Sequence, residues 1–135
     1  MKRWWCAWLM AFACALAWAS DDYKIKVEVV QKGNAFHTQA SFYLPLTLCQ
    51  SYRYLTDYDA ATNIAGVVAS TTTRIDARTA RVERLIQERI LFFPIKMRMV
   101  LEFTELPNLG TDFVQISGEA KYYKGAWRLE SEGNG

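Results

Sequence analysis

The chain has 135 residues, is 51% hydrophobic, and carries 16 Lys and Arg against 14 Asp and Glu with a single His. That length builds one domain with a real core but not two. The formal charge of +2 rests on Lys2 and Arg3. Beyond them acids and bases balance, which gives no drive toward nucleic acid or an anionic partner.

Lys2 and Arg3 open an apolar run at residues 6–18 that is short for a membrane span and sits at the very start. Ala17-Trp18-Ala19 supplies a small-x-small cleavage pattern. These features predict a signal peptide over residues 1–19, cleavage after Ala19, export to the periplasm, and one domain over residues 20–135. Cys6 and Cys14 leave with the signal, so Cys49 stands alone and no internal disulfide is expected. A lone Cys at helical spacing reads as a small buried apolar residue. One Cys and one His assemble no metal site, and no cofactor is expected.

In residues 21–31, Ile25, Val27 and Val29 alternate with Lys24, Lys26 and Glu28, the period of a strand. Lys32-Gly33-Asn34 marks a turn, and Phe36, Thr38, Ala40, Phe42 and Leu44 share one face of a second strand. The two runs predict a hairpin. His37 falls on its polar face, where it reads as a surface residue. Pro45 stops the strand, and Thr47 suits a helix N-cap ahead of Leu48, Tyr52 and Leu55. Asp57 and Asp59 are expected to cap and start a short helix over residues 60–65, closed by Gly66.

Residues 67–76 read as strand. Thr79–Ile90 is ambiguous: Val82, Leu85, Ile86 and Ile90 lie at helical spacing in a helix-favouring composition, while Ala80, Val82, Ile86 and Ile90 also share a strand face. Local evidence leans helical. Arg74, Arg78, Arg81, Arg84 and Arg89 are interspersed with Asp76, Glu83 and Glu88, which predicts a mixed solvated face and no nucleic-acid partner. Residues 95–104 are the cleanest strand, with Ile95, Met97, Met99, Leu101 and Phe103 on one side. Its two Met side chains suit an irregular apolar guest as well as ordinary core filling. Strands over residues 111–117 and 122–130 follow, the last with Tyr123, Gly125, Trp127 and Leu129 on one side. Asn134-Gly135 is a hairpin signal without a partner strand in this sequence.

Three pieces in order carry a family resemblance: Tyr54-Leu55-Thr56-Asp57-Tyr58-Asp59, the hydroxyl-rich Ser70-Thr71, and Gly118 with Gly125-Ala126-Trp127-Arg128-Leu129-Glu130. Together they resemble the START-like (SRPBCC) superfamily, nearest to its polyketide cyclase/dehydrase and coenzyme Q-binding branch in exported bacterial versions. The resemblance spans residues 31–135. It departs from the family at Cys49-Gln50, where Val-Trp is usual, and at Asn63-Ile64-Ala65-Gly66, where prolines are usual. It also lacks the final strand and long C-terminal helix.

The resemblance implies an α+β, helix-grip fold: a curved antiparallel sheet with two short helices after the second strand, the long C-terminal helix missing. It also turns Thr79–Ile90 from helix to strand. The function it implies is non-enzymatic binding or transport of a hydrophobic, lipid-like ligand such as a quinone, acyl lipid or polyketide-like molecule. The expected ligand-binding residues are Phe42, Tyr58, Val82, Ile86, Met97, Met99, Leu101 and Trp127. A cyclase-like enzyme using His37, Tyr58 or Asp57 is the alternative. A second is an interaction protein or a shortened fragment, with a homodimer through the uncovered sheet or contact with a membrane surface.

Overall fold

The computed structural model describes residues 23–133, and the expected signal peptide lies outside them. The chain divides into two units between Leu44 and Pro45. In the first, β1 (Lys26–Lys32) and β2 (Ala35–Ser41) form an antiparallel hairpin, with Lys32 opposite Ala35 and Lys26 opposite Ser41. Gly33 turns the chain at φ +61°, a conformation that glycine adopts freely. Both faces of this hairpin are exposed, so it contributes no core.

The second unit is sheet-rich, with few helices. Helix α1 (Leu48–Leu55) begins at a reciprocal capping box, as Thr47 predicts. The Gln50 amide donates to Thr47 Oγ1 at 3.2 Å, and the Thr47 amide donates to Gln50 Oε1 at 3.0 Å. Ser51 is the buried residue of this helix. Cys49 is on it but exposed, contrary to the buried role its spacing suggested: it lies on the solvent side of a short helix that buries little.

A 3-10 helix (Tyr58–Asn63) follows, displaced from the expected residues 60–65. Asp57 occupies its cap position without a side-chain cap hydrogen bond. Asp59 Oδ1 instead accepts from Thr72 Oγ1 at 2.6 Å, so the acid ties the turn to the sheet rather than capping a helix.

Five antiparallel strands follow in sequence order: β3 (Val67–Arg74), β4 (Thr79–Ile90), β5 (Phe93–Leu106), β6 (Gly110–Gly118) and β7 (Lys124–Arg128). Thr79–Ile90 is thus a strand. Its helical propensity yields to pairing on both edges, with β3 from Arg74–Ala80 to Val67–Ile86 and with β5 along its whole length. This meander is compatible with a curved sheet.

Register sorts the side chains onto two faces. Inner-face pairs across β4 and β5 run Ala80–Phe103, Val82–Leu101, Arg84–Met99, Ile86–Met97, Glu88–Ile95 and Ile90–Phe93. The outer face holds ion pairs: Arg81–Glu102 at 3.3 Å, Arg98–Glu83 at 2.8 Å and Arg128–Asp112 at 2.5 Å. This mixed face is the one the interspersed charges predicted for Arg81 and Glu83. The core forms where Tyr58 roofs the inner face over Ala80, Val82, Met99, Leu101 and Phe103.

The hairpin of β4 and β5 outruns its neighbours. β3 stops pairing at Val67–Ile86, with one further bond from the Gln87 amide to Gly66 O, and β6 stops at Met99–Gly118. Beyond them a two-stranded finger continues to the turn Leu91-Phe92. From Met97 to Phe93 that is about 13 Å at strand rise. No helix among the described residues is long and apolar enough to cross a membrane.

Candidate functional site

The expected site residues of the second unit converge on the inner face. Tyr58 is fixed there from three directions. Ser70 Oγ donates to Tyr58 O at 2.8 Å, so β3 pegs the 3-10 helix to the sheet. The Tyr58 ring lies 4.5 Å from that of Phe103. Its hydroxyl donates to Glu105 Oε1 at 2.9 Å, while Arg74 Nη1 holds Glu105 Oε2 at 3.0 Å.

Glu105 is buried, and both of its carboxylate oxygens are occupied, as a buried charge requires. Burial first, then the hydrogen bond to Glu105, pushes the Tyr58 pKa well above the ordinary phenol value. Tyr58 therefore stays neutral and spends its proton on Glu105.

From Tyr58 a ribbon of rings crosses the sheet. Phe103 is 5.5 Å from Phe113, and Phe113 is 5.3 Å from Tyr123, all tilted. Gly125 makes this crossing: it stands opposite Phe113, and a Cβ there would meet the Phe113 ring at 2.5 Å. Met97, Phe113 and Ala120 pack against the core while remaining partly open, and Tyr123 is exposed beside them.

Arg84 lies in the midst of this surface, between Ser70 on β3 and Met99 on β5. Its guanidinium carbon is 5.7 Å from the Phe103 ring centroid, a cation–π distance. Its Nε is buried without a hydrogen-bond partner, as are Gln115 Oε1 and Thr111 Oγ1. Burial pushes the Arg84 pKa down, against smaller upward contributions from Tyr123 and Tyr58. It nevertheless remains a cation at neutral pH.

The sequence-predicted residues thus divide. Val82 and Leu101 are wholly inside the core with Tyr58 and Met99, and Ile86 and Met97 are half-buried on the same face. Trp127 stands opposite Thr111 toward the edge of that face and is 38% exposed. Phe42 belongs to the first unit, just past β2, and is exposed. His37 is also in that unit, lining an open hollow of about 450 Å³ with Glu28, Val30, Lys32, Thr38 and Gln39. Val30 is the one apolar side chain among those six, so this hollow lacks greasy walls. Asp57 is exposed.

Sequence reasoning missed Arg84, Glu105 and the finger. In the sequence Arg84 is one of several interspersed charges that predict a solvated face, whereas the register places it on the inner face. Its strand parity, even-numbered with Val82 and Ile86, was the available signal. For the finger the signal was Ile90-Leu91-Phe92-Phe93, four apolar residues with no turn-forming residue among them. Among the described residues no three His, Cys, Asp or Glu cluster to hold a metal ion.

No family model, curated protein or solved structure matches this chain.

Proposed function

We propose that the second unit binds an apolar, lipid-like molecule on the inner face of its sheet, without catalysis. A quinone, an acyl lipid and a polyketide-like molecule all have the required greasy body. The observation that carries this reading is the partial cover of that face. Tyr58 roofs the face over Phe103, while Met97 toward the finger and Phe113 and Tyr123 toward β7 keep apolar surface open. Apolar pockets with a few placed polar groups are the ordinary form of small-molecule sites. Kinship with the START-like superfamily and its helix-grip arrangement belong to the same proposal, as does export through residues 1–19 to the periplasm. A cyclase-like role has less support, because the Tyr58 hydroxyl is already committed to Glu105.

Solvent extraction of purified protein, followed by mass spectrometry, tests the reading. A co-purified lipid or quinone at near-stoichiometric amount is the expected result. Empty protein whose melting temperature ignores both quinones and acyl lipids would refute it.

The finger favours a second element, contact with a lipid surface. Leu91, Phe92 and Phe93 are 82%, 91% and 72% exposed, and Arg89 and Lys96 flank them on the outer face. Leu91 adopts φ +57°, a conformation costing a non-glycine residue about 1–2 kcal/mol. A two-residue hairpin turn with positive φ at its first central residue alone ordinarily takes Gly there. Aliphatic and aromatic side chains kept at a strained turn, on a convex tip whose ladder is paired, suit a medium that deforms around them. The same inner-face row, Phe93, Ile95, Met97 and Met99, leads from the tip to the proposed site.

Flotation with vesicles of phosphatidylethanolamine and phosphatidylglycerol is the test. Wild type should float, and Leu91→Gly with Phe92→Asn should not. A wild-type protein that stays at the bottom removes the lipid-surface contact. Reversible dimerisation in sedimentation, abolished by the same pair, would assign the tip to a second copy instead.

A further inference from the structure

The inner and outer faces treat arginine differently. On the outer face Arg81, Arg98 and Arg128 each reach a carboxylate across the ladder, and on the inner face Arg74 reaches Glu105. Arg84 reaches no carboxylate among the described residues. Its same-strand neighbours on that face are Val82 and Ile86, and across the ladder it meets Met99, with Met97 and Leu101 on the diagonals. None of these carries charge. The aromatic face of Phe103 partly compensates the cation, but a ring offers no acceptor to the buried Nε.

On the β3 side Arg84 stands opposite Ser70, with Thr72 on the diagonal, so its setting is uncharged and largely apolar. A fork of guanidinium donors in such a setting is matched by a planar, singly charged acceptor. We propose that Arg84 binds the carboxylate of an amphiphilic acid whose apolar body lies along Met99, Met97 and Ile86. This rests on the apolar-guest reading above and narrows it from any greasy molecule to a long-chain or ring-bearing carboxylic acid. A phosphate monoester fits less well. It carries a charge of about −1.5 to −2 at neutral pH, and the neighbours of Arg84 on this face supply no second cation. A neutral guest would leave the guanidinium as unpaired as it is now.

An unpaired, partly buried charge destabilises its fold. Replacing Arg84 by an isosteric apolar residue should therefore leave the protein as stable as wild type or more so, while removing the acid's partner. A purely structural arginine would show the opposite pattern on stability.

The experiment is calorimetric titration of the full chain with decanoate and with decanol, below their aggregation concentrations, for wild type, Arg84→Met, Arg84→Gln and Arg84→Lys. Wild type should prefer decanoate. Arg84→Met and Arg84→Gln should weaken decanoate about tenfold, the worth of one charge-assisted pair, and leave decanol within about twofold. Arg84→Lys should keep part of the preference, since the charge survives without the fork.

Equal decanoate affinity in wild type and Arg84→Met would overturn the carboxylate contact while the apolar site stands. Failure of wild type to bind either compound would instead remove the apolar site itself. Wild-type dimers that dissociate on Arg84→Met substitution would assign the guanidinium to a second copy and also overturn the proposal. A melting temperature for Arg84→Met well below wild type would count against it too, and Arg84→Gln then carries the affinity measurement.

Discussion

The foot and the tip of the β4–β5 hairpin share one unbroken ladder, from Thr79–Thr104 to Ile90–Phe93, yet they meet solvent in opposite ways. At the foot, Ala80, Val82, Leu101 and Phe103 are buried; at the tip, Ile90, Leu91, Phe92 and Phe93 are exposed. The pairing of β4 with β5 is continuous through both, so that ladder by itself does not make the core. The difference is in neighbours. The foot has β3 on one side, β6 on the other and Tyr58 above, whereas the tip has none of these. Hydrophobic stabilisation follows area removed from water, and a two-stranded ribbon removes little.

The largest expected effect contrasts the two ends directly. Leu101→Ala deletes a wholly buried side chain beneath Tyr58 and should destabilise by about 2–5 kcal/mol in urea unfolding. Leu91→Ala at the tip should change stability by no more than about 0.5 kcal/mol. Equal losses at both ends would mean that the tip is packed in solution and would break the contrast. Replacing Leu91-Phe92 by Gly-Asn sharpens it, because relief of the strain at the positive φ of Leu91 should stabilise the hairpin by about 1 kcal/mol.

Next in size is the roof. Tyr58→Phe removes the hydroxyl that satisfies one oxygen of buried Glu105, and a hydrogen bond to a charged group is worth about 1.5–3 kcal/mol. The same substitution should alter behaviour in base. The Tyr58 pKa is raised in the folded protein, so its contribution is complete below the unfolded phenol value of about 10. It is lost as pH rises from there through the folded value. Wild type should therefore lose stability above about pH 10 more steeply than Tyr58→Phe, as followed by thermal melts across the alkaline range. Parallel curves would show that Tyr58 ionises as freely in the fold as outside it.

A smaller effect is expected where β7 lets the aromatic ribbon pass. Gly125→Val puts a branched side chain into the Phe113 ring, which must move out of line with Phe103 and Tyr123. Overpacking of this kind costs about 1–3 kcal/mol, and the open edge of β7 should keep it near the low end. Unchanged stability and near-ultraviolet circular dichroism would mean that the ring is not seated there.

How much of this was legible in the sequence depended on whether the signal was periodic or relational. The alternation at Ile95, Met97, Met99, Leu101 and Phe103 announced both β5 and its inner face, and Thr47 announced α1 with its cap. Thr79–Ile90 carried two periods at once, and only pairing with a strand on either side decides between them. Strand parity with Val82 and Ile86 puts Arg84 on the inner face, but what Arg84 and Glu105 do there lies in partners distant in sequence. Glu105 has Tyr58 and Arg74, whereas Arg84 has Phe103 and no acid among the described residues. Asp57 and Asp59 show the same limit. An acid before a helical turn suggests capping, but Thr72 on β3 claims Asp59 for the sheet.

The smallest expected effect lies at the exposed turn between β3 and β4, at the foot but outside the core. Asp76 Oδ1 accepts from the amides of Arg78 and Thr79, each at 2.8 Å, and these bonds hold its carboxyl below the ordinary aspartate range. A carboxylate with a depressed folded pKa contributes stability that is present above its unfolded value and is lost as pH falls through the folded one. Asp76→Asn keeps an acceptor oxygen without the charge. It should flatten the acid limb of the stability curve below about pH 4 while leaving neutral stability nearly intact. Asp76→Ala should weaken the turn at neutral pH as well, because two amides lose their acceptor. Since the ladder from Thr79 onward is anchored on both flanks, neither variant should loosen the register of β4. Amide exchange at Arg81 and Glu83 that stayed slow in both variants would show that the foot is held by its neighbours and its roof rather than by its turn.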